Sequence, residues 1–134
     1  MTNDTSPAPE VQPSTLRITD AERRGWQRRA VAALSDILDI GTRERLTPLS
    51  WIVNHLGALV GDVVPPYTVD EALHREVMRT TWHEWVDAVD ADPWPSSREP
   101  GAVHLSAETT VRSSVRVVLR ARLPLPPDQP EDAS

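Results

Sequence analysis

The chain contains no cysteine, no lysine and no phenylalanine. Without cysteine there is no disulfide, no thiolate nucleophile and no cysteine-ligated zinc. Without lysine, all 14 basic residues are arginine, and tryptophan occurs five times. The Arg, Ala and Pro bias is that of a GC-rich coding sequence. Long apolar runs are missing too, since none approaches the ~18 residues a membrane-spanning helix needs. No basic segment followed by an apolar run opens the chain, so the expectation is no signal peptide and a cytoplasmic location.

Several catalytic signatures are also missing. Gly57 and Gly61 sit four apart in β-like sequence with no lysine after them, which is not a phosphate loop. No serine stands in an elbow between glycines. His83-Glu84 begins like the zinc-protease helix, but Asp87 occupies the place of the second histidine. His55 and His104 fall on other elements, so no metal and no cofactor are expected. An enzyme would need a scattered site, with His74 as its candidate base. A half-buried, hydrogen-bonded structural histidine is the plainer reading of that residue.

What remains is length enough for one domain in 134 residues. Residues 1–18 and 124–134 are rich in proline and polar groups, the second stretch also in acids. Both read as disordered tails, because few apolar groups are there to offset the entropy of ordering. Residues 19–123 form the single folded domain, large enough to bury roughly two thirds of its unfolded surface. Net charge is −6, but part of the excess acid lies in the tails, leaving 13 arginines against 15 acids between them. An acidic balance argues against non-specific nucleic-acid binding, while arginine clusters still have to be judged locally.

The clearest pattern is Val111–Leu123, VRSSVRVVLRARL. Val115, Val117, Leu119, Ala121 and Leu123 fall on one side of a strand, and Arg112, Arg116, Arg120 and Arg122 on the other, with Val118 among them. Period two with β-branched residues predicts a half-buried strand with one apolar and one arginine side. Upstream, Thr19-Asp20-Ala21-Glu22 fits a capping box, and a helix is expected to about Ile40 with Gly41 as its left-handed stop. Trp26, Ala30, Ala33, Leu34, Ile37, Leu38 and Ile40 gather on one arc of it. Its charges run against the helix dipole, with Arg23, Arg24, Arg28 and Arg29 early and Asp36 and Asp39 late. That face is either a solvated surface in an Arg-rich chain or a functional basic patch.

Leu49–Leu56 and Ala58–Val64 suggest a hairpin around Asn54–Gly57. Gly61 suggests a bulge or a close helix approach. A second capping box at Thr68–Glu71 predicts a helix to about Val89, with Trp82 and Trp85 on its apolar arc. Ala91–Gly101 reads as a loop whose Trp94 folds back over a core edge. Ala102–Ala107 is a strand with Val103 and Leu105 on one side and His104 and Ser106 on the other. The expected fold is therefore α+β, α-β-β-α-β-β: a four-stranded antiparallel sheet with two helices packed on one face. It is compatible with a circularly permuted ferredoxin-like arrangement, two hairpins side by side.

The candidate interaction surface is Trp51, Arg112, Arg116, Arg120 and Arg122, with Arg24 and Arg28 on the first helix. The arginine side of the last strand has two readings. It is a solvated face partly neutralised by Glu108 and Asp62, or it binds an anion or a protein. If Trp51 and Val53 share it, indole and guanidinium together suit single-stranded nucleic acid or a protein interface. Val60 and Val118 on the same face favour dimerisation.

The segments DILDIG, LSWIV, GALVGDVV, WHEW, HL-A and VRVVLRA, within residues about 19–122, carry a resemblance. The chain is similar to a group of short uncharacterised proteins common in high-GC actinobacteria and their phages. The resemblance implies a compact α+β unit of phage or mobile-element origin, and it carries over no functional residue. The functional expectation is a small non-enzymatic interaction or regulatory module, with a protein partner or self-association. Nucleic-acid binding through the same arginines is the alternative, and a small enzyme around His74 the second.

Overall fold

The computed structural model describes residues 17–66 and 70–125, so the expected tails lie almost wholly outside the described residues. In chain order the elements are α1 (Asp20–Glu44), β1 (Ser50–Val53), β2 (Leu59–Asp62), α2 (Glu71–Ala88), β3 (Asp92–Pro93), β4 (Ser97–Glu99), β5 (Ala102–Val111) and β6 (Val115–Pro124). The fold is α+β with two helices and one six-stranded sheet. Its main order is β1-β2-β6-β5, and β3 and β4 both pair along the outer edge of β5.

The expected four-stranded antiparallel sheet is corrected in two respects. The two hairpins lie side by side, but they meet through β2 and β6, which run parallel from Leu59↔Val117 to Asp62↔Arg120. Alternation of apolar residues marks which face of a strand is buried. It is the same for parallel and antiparallel neighbours, so strand direction was not legible. The loop expected over Ala91–Gly101 holds the short strands β3 and β4, because the extended β5 offers it a free edge. Trp94 there is 44% exposed and covers no core. β5 itself runs to Val111 rather than Ala107.

α1 begins as its sequence dictates: the Thr19 side chain accepts from the Glu22 N–H, and Glu22 reaches back to the Thr19 N–H at 2.9 Å. It does not stop at Gly41. It continues through the glycine to Glu44, and Arg45 takes the left-handed cap at φ 57°. Gly41 is needed inside the helix because Trp85 packs against it: a Cβ there would lie 2.8 Å from the indole Cη2. α2 starts at Asp70, whose carboxylate accepts from the N–H groups of Ala72 and Leu73. Thr68, the expected cap, lies outside the described residues. No described helix is long and apolar enough to cross a membrane.

Both helices cover the same sheet face. Ala30, Ala33 and Ile37 of α1 and Met78, Trp82, Trp85 and Val86 of α2 form one core with Leu59, Val115, Val117, Leu119, Ala121 and Leu123. Fully burying each large side chain contributes roughly 1.5–3 kcal/mol. Two indoles tie the helix layer to the chain beneath by hydrogen bonds, Trp82 to the Leu119 carbonyl at 3.1 Å and Trp85 to the Thr47 carbonyl at 2.7 Å. Such partners remove the cost of burying an N–H. Among the described residues, the opposite sheet face carries no helix.

Candidate interaction surface

The uncovered face is composed by register. Along β6 it presents Arg116, Val118, Arg120 and Arg122, which alternate with the core residues. β5 places Thr110, Glu108, Ser106 and His104 opposite them in turn, and β2 adds Val60 and Asp62. β1 contributes Ile52 beside Val60 and Ser50 beside Asp62. The centre of the face is thus an apolar row across three strands, Ile52–Val60–Val118. Ile52 is 49% exposed, whereas Val118, between two arginines, is only 8% exposed. Long arginine stems beside a valine cover it while their heads reach water.

Every arginine of this face has a carboxylate. Arg116 bonds Glu108. Arg120 forms a two-point pair with Asp62 at 2.8 and 3.0 Å. Arg122 reaches Glu99 at 2.9 Å, and Glu99 also takes His104 Nε2 at 2.5 Å. Two-point geometry fixes guanidinium orientation as well as charge. The contacts neutralise the row that looked basic in isolation. Glu108 and Asp62 meet Arg116 and Arg120, and Glu99, an acid that the sequence reading did not single out, meets Arg122.

Arg112 does not belong to this face. It stands in the β5–β6 turn with φ 52°, followed by Ser113 at φ 66°. There it makes a two-point contact with Asp36 of α1 at 2.6 and 3.2 Å. Two successive left-handed residues are what a tight hairpin turn requires, and they carry the side chain off the strand's alternation.

Trp51 is also placed differently from the expectation. Its strand partner is Gly61, and its indole lies over that glycine on the helix-covered face, where a Cβ at Gly61 would come within 2.8 Å of Cζ3. It meets Trp85 edge-on at 5.8 Å. Gly61 therefore makes room for a cross-strand tryptophan, not for a helix. Leu38, Gly41, Leu46, Leu49, Trp51 and Trp85 border an apolar hollow of about 440 Å³ there. Val53 faces the core with Trp51. The residues in SWIV that reach the open face are Ser50 and Ile52. The signal was present: an indole fits opposite a glycine, and Gly61 shares its face with the core residue Leu59.

Arg24 and Arg28 lie exposed on the outer side of α1, away from the sheet. His74 is half-buried on α2 and shares no element with His55 or His104. His83 is exposed and packs edge-on to Trp82 at 4.9 Å. No group of three or more His, Asp or Glu residues among the described residues could hold a metal ion.

The pairs have an acid-range consequence. His104 first, and then Arg122, holds the Glu99 carboxyl below its ordinary value of 4.5. Arg112 likewise lowers Asp36 from 3.8. A carboxyl whose folded pKa is depressed favours the fold above its unfolded value, and loses that contribution as pH falls through the folded value. The Tm difference between wild type and Glu99→Gln is therefore expected to shrink as pH falls below the ordinary value of 4.5 and on through the lowered folded value. A difference independent of pH would show that the Glu99 contacts contribute nothing in solution.

A scan against protein-family models, a search of the curated proteins and a search of the solved structures returned no match for the chain.

Proposed function

We propose that the protein is a small interaction module, of phage or mobile-element derivation on the resemblance above, that binds a protein partner through the open sheet face. One observation carries the reading: an apolar row, Ile52–Val60–Val118, crosses this face between paired guanidinium and carboxylate groups, open at Ile52, which is 49% exposed, and sheltered by arginine stems at Val118. An apolar centre within a polar rim is the anatomy of a protein interface, and arginine held rigidly by a carboxylate contributes little to phosphate binding. β1, beside Ile52, is an edge strand among the described strands, which adds backbone groups able to pair with an extended segment to the same area.

Ile52→Asp tests it, because the side chain is exposed and its loss leaves the core intact. Wild type, Ile52→Asp and Arg28→Asp are used as bait against an extract of the source cells. The expected result is a partner retained by wild type and by Arg28→Asp and lost with Ile52→Asp. Hydrogen exchange on the complex should then show protection at β1 and β2. Capture indifferent to Ile52→Asp would exclude the face.

The nucleic-acid reading has one observation in its favour, the exposed Arg24, Arg28 and Arg29 of α1, which carry no ion pair among the described residues. Three phosphate contacts would give a slope of about −3 for log affinity against log salt on duplex DNA. No binding to labelled oligonucleotides at low salt would eliminate it.

A further inference from the structure

The charge order of α1 runs against its own dipole, and only part of it is met within the monomer: Arg112 pairs with Asp36 and Arg23 with Asp20, while Arg24, Arg28, Arg29 and Asp39 have no ion pair among the described residues. Residues 20–31 hold four arginines and two acids, net +2, and residues 32–44 hold three acids and one arginine, net −2. Within one helix this arrangement is mildly unfavourable. Between two copies running antiparallel it becomes complementary, because each basic half meets an acidic half and the two helix dipoles oppose as well.

The outer stripe of the helix has the spacing for such a contact. Arg24, Arg28, Val31, Ser35, Leu38 and Thr42 recur at steps of four and three and are all exposed. Val31 is 58% exposed and Leu38 47%, the two large apolar side chains of α1 left to solvent. Setting Val31 against Leu38 of a second copy gives a four-residue apolar centre by symmetry. Arg28 then falls two residues, ~3 Å along the axis, from Asp39 of the second copy, within side-chain reach. The same contact recurs on the other side of the two-fold.

We propose that α1 is the self-association surface of the protein and that it forms an antiparallel two-fold dimer through this stripe. The sheet face lies on the far side of each protomer, so the dimer presents two open faces and can engage a partner bivalently. The inference stands apart from the partner-binding reading: it concerns another surface, and a monomer could still bind through the sheet.

The test is sedimentation velocity of the full chain over about a hundredfold concentration range, at low and high salt. The interface is small, so a weak, concentration-dependent dimer is expected. Arg28→Asp and Asp39→Arg should each weaken it at least ~10-fold, because each turns two attractive contacts repulsive. The double variant Arg28→Asp/Asp39→Arg, which restores opposite charges across the two-fold, should recover it. Ile52→Asp should leave it unchanged. A monomer at every concentration overturns the proposal, as does a dimer indifferent to both single reversals or one not recovered in the double variant. A dimer lost with Ile52→Asp alone would place self-association on the sheet and overturn it too.

Discussion

Gly57→Ala is expected to destabilise the fold by about 2–5 kcal/mol, the sum of a left-handed backbone and an overpacked contact. Gly57 sits at φ 80° in the β1–β2 turn. Its Cβ would fall 2.6 Å from Trp26 Cβ and 2.9 Å from the Trp26 carbonyl carbon and oxygen. A flexible side chain could move away; the α1 backbone cannot without displacing the helix. The turn has no slack of its own, because the Asn54 carboxamide already accepts from the Leu56 and Ala58 N–H groups at 2.9 Å. Urea unfolding should show a lower midpoint with an unchanged slope. A loss under about 0.5 kcal/mol would mean that α1 and this turn are not in contact.

The second large effect is at Trp85. It is 1% exposed, donates to the Thr47 carbonyl and meets both Trp51 and Gly41. Trp85→Ala removes the largest fully buried side chain, with an expected loss of about 3–5 kcal/mol. The neighbouring glycine makes the prediction sharper. In wild type, Gly41→Ala drives a methyl to within 2.8 Å of the indole, which offsets the ~1 kcal/mol that alanine gains over glycine inside a helix. Once Trp85 is alanine, the obstacle is gone. Gly41→Ala should then change sign and stabilise by about 1 kcal/mol. A double-mutant cycle measures that reversal, and strict additivity would show that helix and indole do not touch.

The interaction surface was only partly readable in advance. Alternation put Arg116, Arg120 and Arg122 on one side of the last strand, and Val118 with them, as observed. The sequence put Glu108 and Asp62 in view as neutralising acids, but not which arginine each meets, and it gave no hint of Glu99. Asp62 is 58 residues from Arg120, and Glu99 reaches Arg122 from a short strand hidden in a proline-rich stretch. The assignment of Trp51 to the open face failed because a four-residue strand places either Trp51 or Ile52 outward. Burial of the larger ring over Gly61 decides between them. Arg112 failed because a turn with two left-handed residues breaks strand alternation.

By itself the sequence determined where α1 begins, which stripes of the helices are apolar (Leu38, expected on the buried arc of α1 but 47% exposed, excepted), where the first hairpin turns, and which side of Val115–Leu123 faces the core. These are local properties of periodicity, capping and turn chemistry, each encoded within a few residues. Only the tertiary structure decided that β2 and β6 run parallel, that α1 continues through Gly41, and that a row of arginines is a set of ion pairs. Each of those depends on a group far away in the chain: an adjacent strand, an indole from the other helix, a carboxylate on a neighbouring strand. Local pattern cannot reveal such a partner, because its position is set by packing.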